Sequence, residues 1–288
     1  MSIWCLYISD IHVGSAFSLW HPDTVSSTGS RLNLNKGQKY LWDNWQKIIK
    51  EVKSITGGKL DILATVGDAI HGKNKKNDGE YLVEQDMAYQ SKGFMDVVYP
   101  LREMANQYYQ FRGSGYHVGN NAESEEWIAQ VFDAVRDDFG HYCWMWLPDL
   151  EIGGVVHDIA HHQSAVMVNK AMPLERERRF SNNLQDIKRY ADVIIRAHAH
   201  TEALVVIDGE WQIGLPAMQL QTPYAKMSKV PNRMLSRYLG VCLVEVDTKN
   251  RGTVLSPINP RFALYTLSTR HCHKGHIREI ITDGRKSY

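Results

Sequence analysis

The chain lacks the long hydrophobic runs and the cysteine pairs that mark several large classes of protein. None of its apolar stretches approaches the ~20 residues of a membrane-spanning helix, so we expect no membrane partner. The apolar run at 3–8 is too short for a signal-peptide core, which favours a cytoplasmic protein. Its four cysteines lie far apart and form no CxxC pair, so we expect neither a disulfide framework nor a cysteine-rich zinc site.

The charge is unevenly distributed along a chain whose formal net charge is only +1. Residues 1–169 carry a net charge of −7, and residues 170–288 carry +8. Within the basic half, the segment 225–239 contains no acidic residue and four basic ones, which are Lys226, Lys229, Arg233 and Arg237. A basic loop of this kind can hold a nucleic-acid backbone or a phosphate tail. Solvated faces of opposite charge would give the same pattern, so nucleic acid is one candidate partner.

Short apolar runs alternate with helical spacing over the first two thirds of the 288 residues, and hairpin signals follow. The predicted helices are 38–53, 84–106 (with a kink or break at Pro100), 123–139 and 174–190. The predicted strands are 3–8, 61–66, 108–112, 150–156, 193–195, 204–207, 210–213, 239–246, 252–255 and 262–267. This order predicts βα units with parallel strands, followed by hairpins that include one around Asp208-Gly209. No linker or repeat interrupts the chain, so we predict one domain over 1–288.

Aspartates and histidines stand directly after three of the predicted strands. These residues are Asp10, His12, Asp68, His198 and His200. Side chains at the ends of parallel strands converge at one edge of a sheet, and alternate residues of an extended segment point the same way. Mixed imidazole and carboxylate ligands suit Zn²⁺, Mn²⁺ or Fe rather than Ca²⁺. The pattern therefore predicts a metal site.

These residues belong to short motifs that occur in a fixed order. The motifs are Asp10-Ile11-His12, Gly67-Asp68-Ala69-Ile70-His71, Gly113-Ser114-Gly115-Tyr116-His117, a single histidine at His161, and Ala197-His198-Ala199-His200. In this combination, over residues 3–220, the chain resembles the calcineurin-like metallophosphoesterase superfamily. The resemblance implies an α/β fold, a four-layer α/β/β/α sandwich of two mixed sheets flanked by helices.

The resemblance also implies the ligands of two divalent cations. The implied ligands are Asp10, His12 and His200 for the first cation, His161 and His198 for the second, and Asp68 as the bridge between them. Two cations about 3.5–4 Å apart clamp a phosphoryl group and turn a shared water into a hydroxide nucleophile. The expected ions are Mn, Zn, Fe or Mg.

Asp68 and His117 are the residues that the resemblance implies in catalysis. His117 matches the phosphate-contacting histidine of the family, which stabilises the transition state or protonates the leaving oxygen. His71 stands where the family has a second aspartate, which orients that histidine. The usual asparagine ligand of the third motif is missing. Depending on the alignment, Tyr116 or Ser114 takes its place, and either substitution predicts weaker or more selective binding of the second metal.

Three histidines compete for one ligand position. Among His157, His161 and His162 we expect one ligand, His161, because it is the first histidine after the strand in the family, and we expect the others at the surface or behind the ligands. His21 and His141 are interpreted as surface or core residues.

The expected function is that of an enzyme, a metal-dependent phosphoesterase that hydrolyses a phosphodiester, with nucleic acid or a nucleotide as candidate substrate. Two alternatives remain open. One is a phosphomonoesterase that acts on protein or small-molecule phosphates. The other is a metal- and nucleic-acid-binding module that has lost most of its catalytic activity through the altered third motif.

Overall fold

A computed structural model describes residues 2–73, 78–162, 172–183, 191–207, 210–223, 239–247 and 262–268. The helices are α1 (Lys36–Thr56), α2 (Met87–Arg102), α3 (Gly115–Val118), α4 (Glu123–Val131) and α5 (Met172–Asn183). The strands are β1 (Ser2–Ile8), β2 (Leu60–Val66), β3 (Ala105–Phe111), β4 (Cys143–Trp144), β5 (Trp146–Ile152), β6 (Val155–Ala160), β7 (Val193–Arg196), β8 (Ala203–Ile207), β9 (Glu210–Gly214), β10 (Gly240–Asp247) and β11 (Phe262–Ser268).

The strands form two mixed sheets. The first has the order β11-β10-β1-β2-β3-β4, and the second has the order β5-β6-β7-β9-β8. In the first sheet β1 to β4 are parallel, β10 pairs antiparallel with β1, and β11 pairs antiparallel with β10. In the second sheet β6, β7 and β9 are parallel, and β5 and β8 flank them in the antiparallel sense. Parallel strands in both sheets bring several strand ends to one edge, which is where the predicted ligands follow.

Two apolar cores hold four layers together. One core lies between the first sheet and helices α1, α2 and α4, and it includes Trp45 and Phe94. The other lies between the two sheets, where Tyr7 and Phe111 of the first meet Ile159 and Ile195 of the second. Helix α5 packs on β7 and β9 of the second sheet. This arrangement confirms the predicted four-layer α/β/β/α sandwich of two mixed sheets.

Helix α1 shows how local sequence sets an element of this sandwich. The side chain of Asn35 accepts a hydrogen bond from the backbone N–H of Gln38, whose side chain accepts from the backbone N–H of Asn35 in return. Gly57 ends the helix at a φ of 66°, a conformation that glycine adopts without a steric penalty. Between these caps, Leu41, Trp45 and residues at helical spacing after them are buried against the first sheet.

Two of the predicted helices are too long. The predicted helix 84–106 is Met87–Arg102, because Asp86 caps its start and β3 begins at Ala105. Pro100 lies inside this helix and does not end it. The predicted helix 123–139 ends at Val131. Beyond it, the carboxylate of Asp137 accepts hydrogen bonds from the backbone of Phe139 and His141, and such local bonds favour a turn over a helix.

The strand predictions differ from the structure mainly between 146 and 160. The predicted strand 150–156 is two antiparallel strands, β5 and β6, because Gly153 and Gly154 both adopt positive φ and turn the chain between them. The hairpin of β8 and β9 is confirmed, although its turn at 208–209 lies outside the described residues. The predicted strand 252–255 also lies outside them, and β10 pairs with β11.

Three further observations bear on the sequence predictions. Among the described residues, no helix combines the length and the apolar character that crossing a bilayer requires. Cys5, Cys143 and Cys242 are buried free thiols, and Cys272 lies outside the described residues. The basic segment 225–239 is described only at Leu239, so its four basic residues lie outside as well. A single domain over 1–288 stays a prediction.

Candidate metal centre

The loops that follow five parallel strands supply the candidate site. Asp10 and His12 follow β1, Asp68 follows β2, and the third motif follows β3. From the second sheet, His161 follows β6, and the pair His198 and His200 follows β7. The parallel order of β1, β2 and β3, and of β6 and β7, places these loops at the carboxyl ends of both sheets.

The backbone is left-handed at five of the predicted ligands. The φ angles are 50° at Asp10, 52° at His12, 50° at Asp68, 69° at His198 and 52° at His200. A non-glycine residue in such a conformation costs on the order of 1–3 kcal/mol and persists only where its surroundings impose it. Here the loops after β1 and β2 are tied together, since the N–H of Asp10 donates to Gly67 and that of His12 donates to Asp68. Backbone strain is therefore concentrated at the predicted ligands.

The first predicted set of ligands is assembled. Nε2 of His200 lies 3.2 Å from Oδ1 of Asp10, and Nε2 of His12 lies 3.7 Å from the same oxygen. The two Nε2 atoms are 3.0 Å apart. The other carboxylate oxygen of Asp10 accepts a hydrogen bond from the backbone N–H of His198, which fixes the orientation of the carboxylate.

The second set centres on Asp68 and His161, which are both buried. Nε2 of His161 lies 3.2 Å from Oδ2 of Asp68. The Nδ1 of His161 donates to the carbonyl of Val66 at 2.8 Å, so Nε2 is the nitrogen that can bind a cation. Nε2 of His12 lies 3.9 Å from the same Oδ2, so Asp68 stands between the two sets, as its predicted bridging position requires.

Three histidines of the second sheet remain to be placed. His198 and His162 lie near His161, and His157 lies in the core. His198 and His161 lie close enough to offer nitrogens to one cation, and His162 joins them. His162 is exposed, which agrees with the predicted surface position. His157 is fully buried in β6, where its Nδ1 is hydrogen-bonded to the hydroxyl of Tyr7 at 2.7 Å, and it lies away from the surface.

The two alignments of the third motif can now be distinguished. The backbone N–H of Ser114 donates to Oδ1 of Asp68 at 2.7 Å, and its Oγ lies 3.1 Å from each oxygen of that carboxylate. Tyr116 instead packs its ring edge-to-face against His117. Ser114 therefore occupies the position next to Asp68, and it contacts the carboxylate as a donor.

His117 is oriented by a main-chain group. Its Nδ1 donates to the carbonyl oxygen of His71 at 2.8 Å, so the residue that replaces the family's aspartate orients His117 through its backbone rather than its side chain. Because Nδ1 carries this hydrogen, Nε2 of His117 is the nitrogen that remains for other partners. The ring lies 4.4 Å, centroid to centroid, from that of His12.

Glu125 is a residue of this region that the sequence reasoning did not identify. It is buried at the start of α4, and its two oxygens accept hydrogen bonds from the backbone of Ala69 and of Gly113. Burial, followed by the charge of Asp68, raises the pKa of Glu125 to about 7. Gly113 leaves no room for a side chain, because a Cβ there would collide with Asp68. Glu125 thus joins the loops after β2 and β3 directly behind Asp68.

The charges within the site compensate one another. Burial would raise the pKa of Asp10, but the charge of His200 and the contact with His12 hold it well below its ordinary range. Burial would lower the pKa of His161, but the hydrogen bond and the charge of Asp68 raise it to about 10. Protons on imidazoles therefore neutralise the carboxylates, and a divalent cation that took their place would release them.

The residues present fit divalent cations. Oδ1 of Asp10 is buried and accepts no well-directed hydrogen bond among the described residues. The ligand atoms lie within 4.8 Å of one another in three groups, which are Asp10 with His12 and His200, Asp10 with Asp68 and His161, and His161 with His162 and His198. Two ligands of one Zn²⁺ ion, each at about 2.1 Å, are separated by up to about 4.2 Å, so modest adjustments would close either set around an ion. Carboxylate and imidazole donors are the ligand types that Zn²⁺, Mn²⁺ and Fe accept.

Solved structures with a similar course of the chain include proteins of different roles. Vacuolar protein sorting 29 from Cryptosporidium parvum is 10% identical, with a TM-score of 0.45, and the alignment covers 92% of this chain and 98% of that one. An archaeal phosphodiesterase is 11% identical, with a TM-score of 0.41 and coverages of 91% and 100%. A predicted phosphoesterase from Streptococcus pneumoniae TIGR4 is 11% identical, with a TM-score of 0.36 and coverages of 93% and 91%.

No protein-family model matches the chain, and no curated protein matches it. At the low identities above, the structural similarities carry no statement about activity, so the site has to be judged on its own geometry. The two mixed sheets flanked by helices confirm the predicted α/β sandwich, and the motifs lie at the ends of its strands.

Proposed function

We propose that the chain is a metal-dependent phosphoesterase that hydrolyses a phosphodiester, with nucleic acid or a nucleotide as its substrate. One observation carries this proposal. Two carboxylate–imidazole pairs, Asp10 with His200 and Asp68 with His161, converge from four different strand ends, each with an N–O distance of 3.2 Å. Backbone strain at three of these four residues indicates that the fold is built to present them.

The chain's own residues would divide the binding of two cations between them. Asp10, His12 and His200 would hold the first cation, and His161 and His198 the second, with His162 within reach of it. Asp68 would contact both cations, and its orientation is fixed by the two donors of Ser114. When bound, two divalent cations polarise a phosphate ester and generate a nucleophile from water at neutral pH.

His117 would act on the leaving group. The hydrogen on Nδ1 is committed to the carbonyl of His71, so Nε2 is a hydrogen-bond acceptor in the neutral ring and a donor in the charged ring. A proton on Nε2 can therefore stabilise a phosphate oxygen or pass to the leaving oxygen.

Substitution of Asp68 tests the assignment. Asp68→Asn removes the anion that stands between the two sets. We expect turnover of bis(p-nitrophenyl) phosphate with added Mn²⁺ to fall by more than about 100-fold. Loss of a residue that only orients a metal ligand costs up to about 100-fold, so a larger loss indicates a direct ligand. Asp23→Asn, which alters an exposed aspartate paired with Arg31, is the matched control and should retain full activity. Equal activity of the two variants would contradict the proposal.

A second measurement separates diester from monoester hydrolysis. A diesterase seats two ester groups around one negative charge, whereas a monoesterase has to bind a dianion. We expect a higher kcat/KM for bis(p-nitrophenyl) phosphate than for p-nitrophenyl phosphate. The reverse order would favour the monoesterase, with protein or small-molecule phosphates as substrates.

The contact between Ser114 and Asp68 favours one other candidate function. Ser114 stands where the family has an asparagine, and its hydroxyl donates to the carboxylate of Asp68. The second cation therefore lacks the amide ligand that the asparagine provides in the family. A chain with a weakened second site could bind metal and nucleic acid without hydrolysis. Gel shifts of DNA or RNA without cleavage under Mn²⁺, Zn²⁺ and Mg²⁺ would support this module over the enzyme.

A further inference from the structure

Three histidines beside the two carboxylate sets form a cluster of their own. His12, His71 and His117 come from the loops after β1, β2 and β3, and each offers a ring nitrogen within 4.8 Å of the others. Their ring centroids are 4.4 Å apart for His12 and His117, 5.1 Å for His71 and His117, and 5.6 Å for His12 and His71. The cluster contains no carboxylate, unlike Asp10 with His12 and His200. His161, His162 and His198 also form a group of three histidines, but its His161 lies 3.2 Å from the carboxylate of Asp68.

The ring nitrogens of this cluster are incompletely satisfied. Nδ1 of His71 and Nδ1 of His12 are buried, and neither has a hydrogen-bond partner among the described residues. His117 uses Nδ1 to donate to the carbonyl of His71, which leaves its Nε2. A buried polar atom without a partner typically costs about 1–3 kcal/mol, so the arrangement of His71 in particular calls for a partner beyond the described residues, and a cation can fill that role.

We propose that His12, His71 and His117 form a third cation site, selective for Zn²⁺, whose occupation inhibits the phosphoesterase. Three imidazoles with one position left open are a ligand set that Zn²⁺ accepts, whereas Mg²⁺ and Mn²⁺ prefer oxygen ligands. The two carboxylate sets accept all three ions, so only excess Zn²⁺ fills the third site.

Inhibition follows from which atoms the ion would take. With Nδ1 of His117 committed to His71, a cation on this cluster binds Nε2, the atom proposed to contact the substrate. His12 also belongs to the set with Asp10 and His200, so an ion on the cluster shares the imidazole of His12 with the first cation. This inhibitory part depends on the proposed function, whereas the binding of Zn²⁺ does not.

The location of the ion is the direct test. Crystals of the wild-type chain grown with Mn²⁺ and excess Zn²⁺, measured on both sides of the zinc absorption edge, should show a zinc peak among the rings of His12, His71 and His117. Zinc confined to the carboxylate sets would overturn the proposal. This measurement needs neither activity nor a variant that folds.

A solution measurement on variants isolates the contribution of His71, which belongs to neither carboxylate set. The wild type should have one site that binds Zn²⁺ but not Mn²⁺. We expect His71→Asn to weaken Zn²⁺ binding at that site by more than about 10-fold, measured by competition with a chromophoric chelator. Mn²⁺ binding should be unchanged. His141→Asn, which removes an exposed histidine paired with Asp137, is the control and should bind Zn²⁺ like the wild type. Equal Zn²⁺ affinity in all three proteins would contradict the site.

The inhibitory role has its own outcome. In the Mn²⁺-activated enzyme, the Zn²⁺ concentration that halves activity should rise by more than about 10-fold in His71→Asn. Zinc located at the cluster without any loss of activity would refute the inhibition and leave the binding site intact. A wild-type protein that binds Zn²⁺ at the cluster and hydrolyses no phosphoester would contradict the proposed function rather than the cation site.

Discussion

His157 should make the stability of the protein sensitive to mild acid, although it takes no part in the metal centre. The residue is fully buried between the sheets and is hydrogen-bonded to the hydroxyl of Tyr7. Burial lowers its pKa from 6.5 to about 3. Between these two values the unfolded chain binds a proton at this histidine and the folded chain does not, so stability falls as the pH falls.

The size of the effect follows from that shift. A base with a pKa of 6.5 in the unfolded chain and about 3 in the folded one lowers the free energy of unfolding by about 2 kcal/mol on going from neutral pH to about pH 5. The loss would approach about 4 kcal/mol at still lower pH. Other histidines titrate over the same interval, so the contribution of His157 has to be measured as a difference between two proteins.

His157→Asn provides that difference. The amide oxygen of asparagine can accept the hydrogen bond from Tyr7, but the side chain does not titrate. Urea unfolding of both proteins in the presence of a chelator should give a stability difference that changes by about 2 kcal/mol in favour of the variant between neutral pH and about pH 5. Curves that stay parallel over this range would contradict the buried, neutral state of His157, as would an imidazole NMR signal that titrates near 6.5.

Three further substitutions probe the supports of the site. Arg196 is buried and pairs with Asp158 and Glu177. Arg196→Met should therefore lower the free energy of unfolding, measured in urea, by about 3–5 kcal/mol, and a loss below about 1 kcal/mol would contradict a buried ion pair. Glu125→Ala leaves two buried backbone N–H groups without an acceptor. The free energy of unfolding should fall by about 2–4 kcal/mol, and an unchanged value would contradict these hydrogen bonds. Ser114→Asn supplies the missing amide, so calorimetry should show tighter binding of the second Mn²⁺ ion, and weaker binding would contradict its assignment.

Much of the candidate site could be predicted because its residues follow strands. Asp10, Asp68 and His198 stand directly after apolar runs whose ends are marked by glycine or by polar residues, and parallel pairing then brings those ends together. The same logic fails where a strand boundary is misplaced. The predicted strand 150–156 merged β5 with β6, which put His157 at a strand end, whereas β6 continues to Ala160 and turns His157 into the core.

Other features depend on tertiary contacts that the sequence does not encode locally. An acidic first turn such as that of α4 is typical of any helix N-terminus, but Glu125 lies buried against the loops after β2 and β3. The partner of His117 is a backbone carbonyl, and any residue type at His71 could provide it. The choice between Ser114 and Tyr116 could not be made from spacing, because it depends on how the loop after β3 approaches Asp68.

Electron paramagnetic resonance of the Mn²⁺-loaded chain can determine whether Asp68 lies between two cations, as proposed. Two Mn²⁺ ions that share the carboxylate of Asp68 should give the spectrum of a spin-coupled pair at two equivalents of metal, and Asp68→Asn should convert it to the spectrum of isolated ions. Isolated Mn²⁺ signals from the wild-type chain at every loading, or no bound Mn²⁺, would contradict the account.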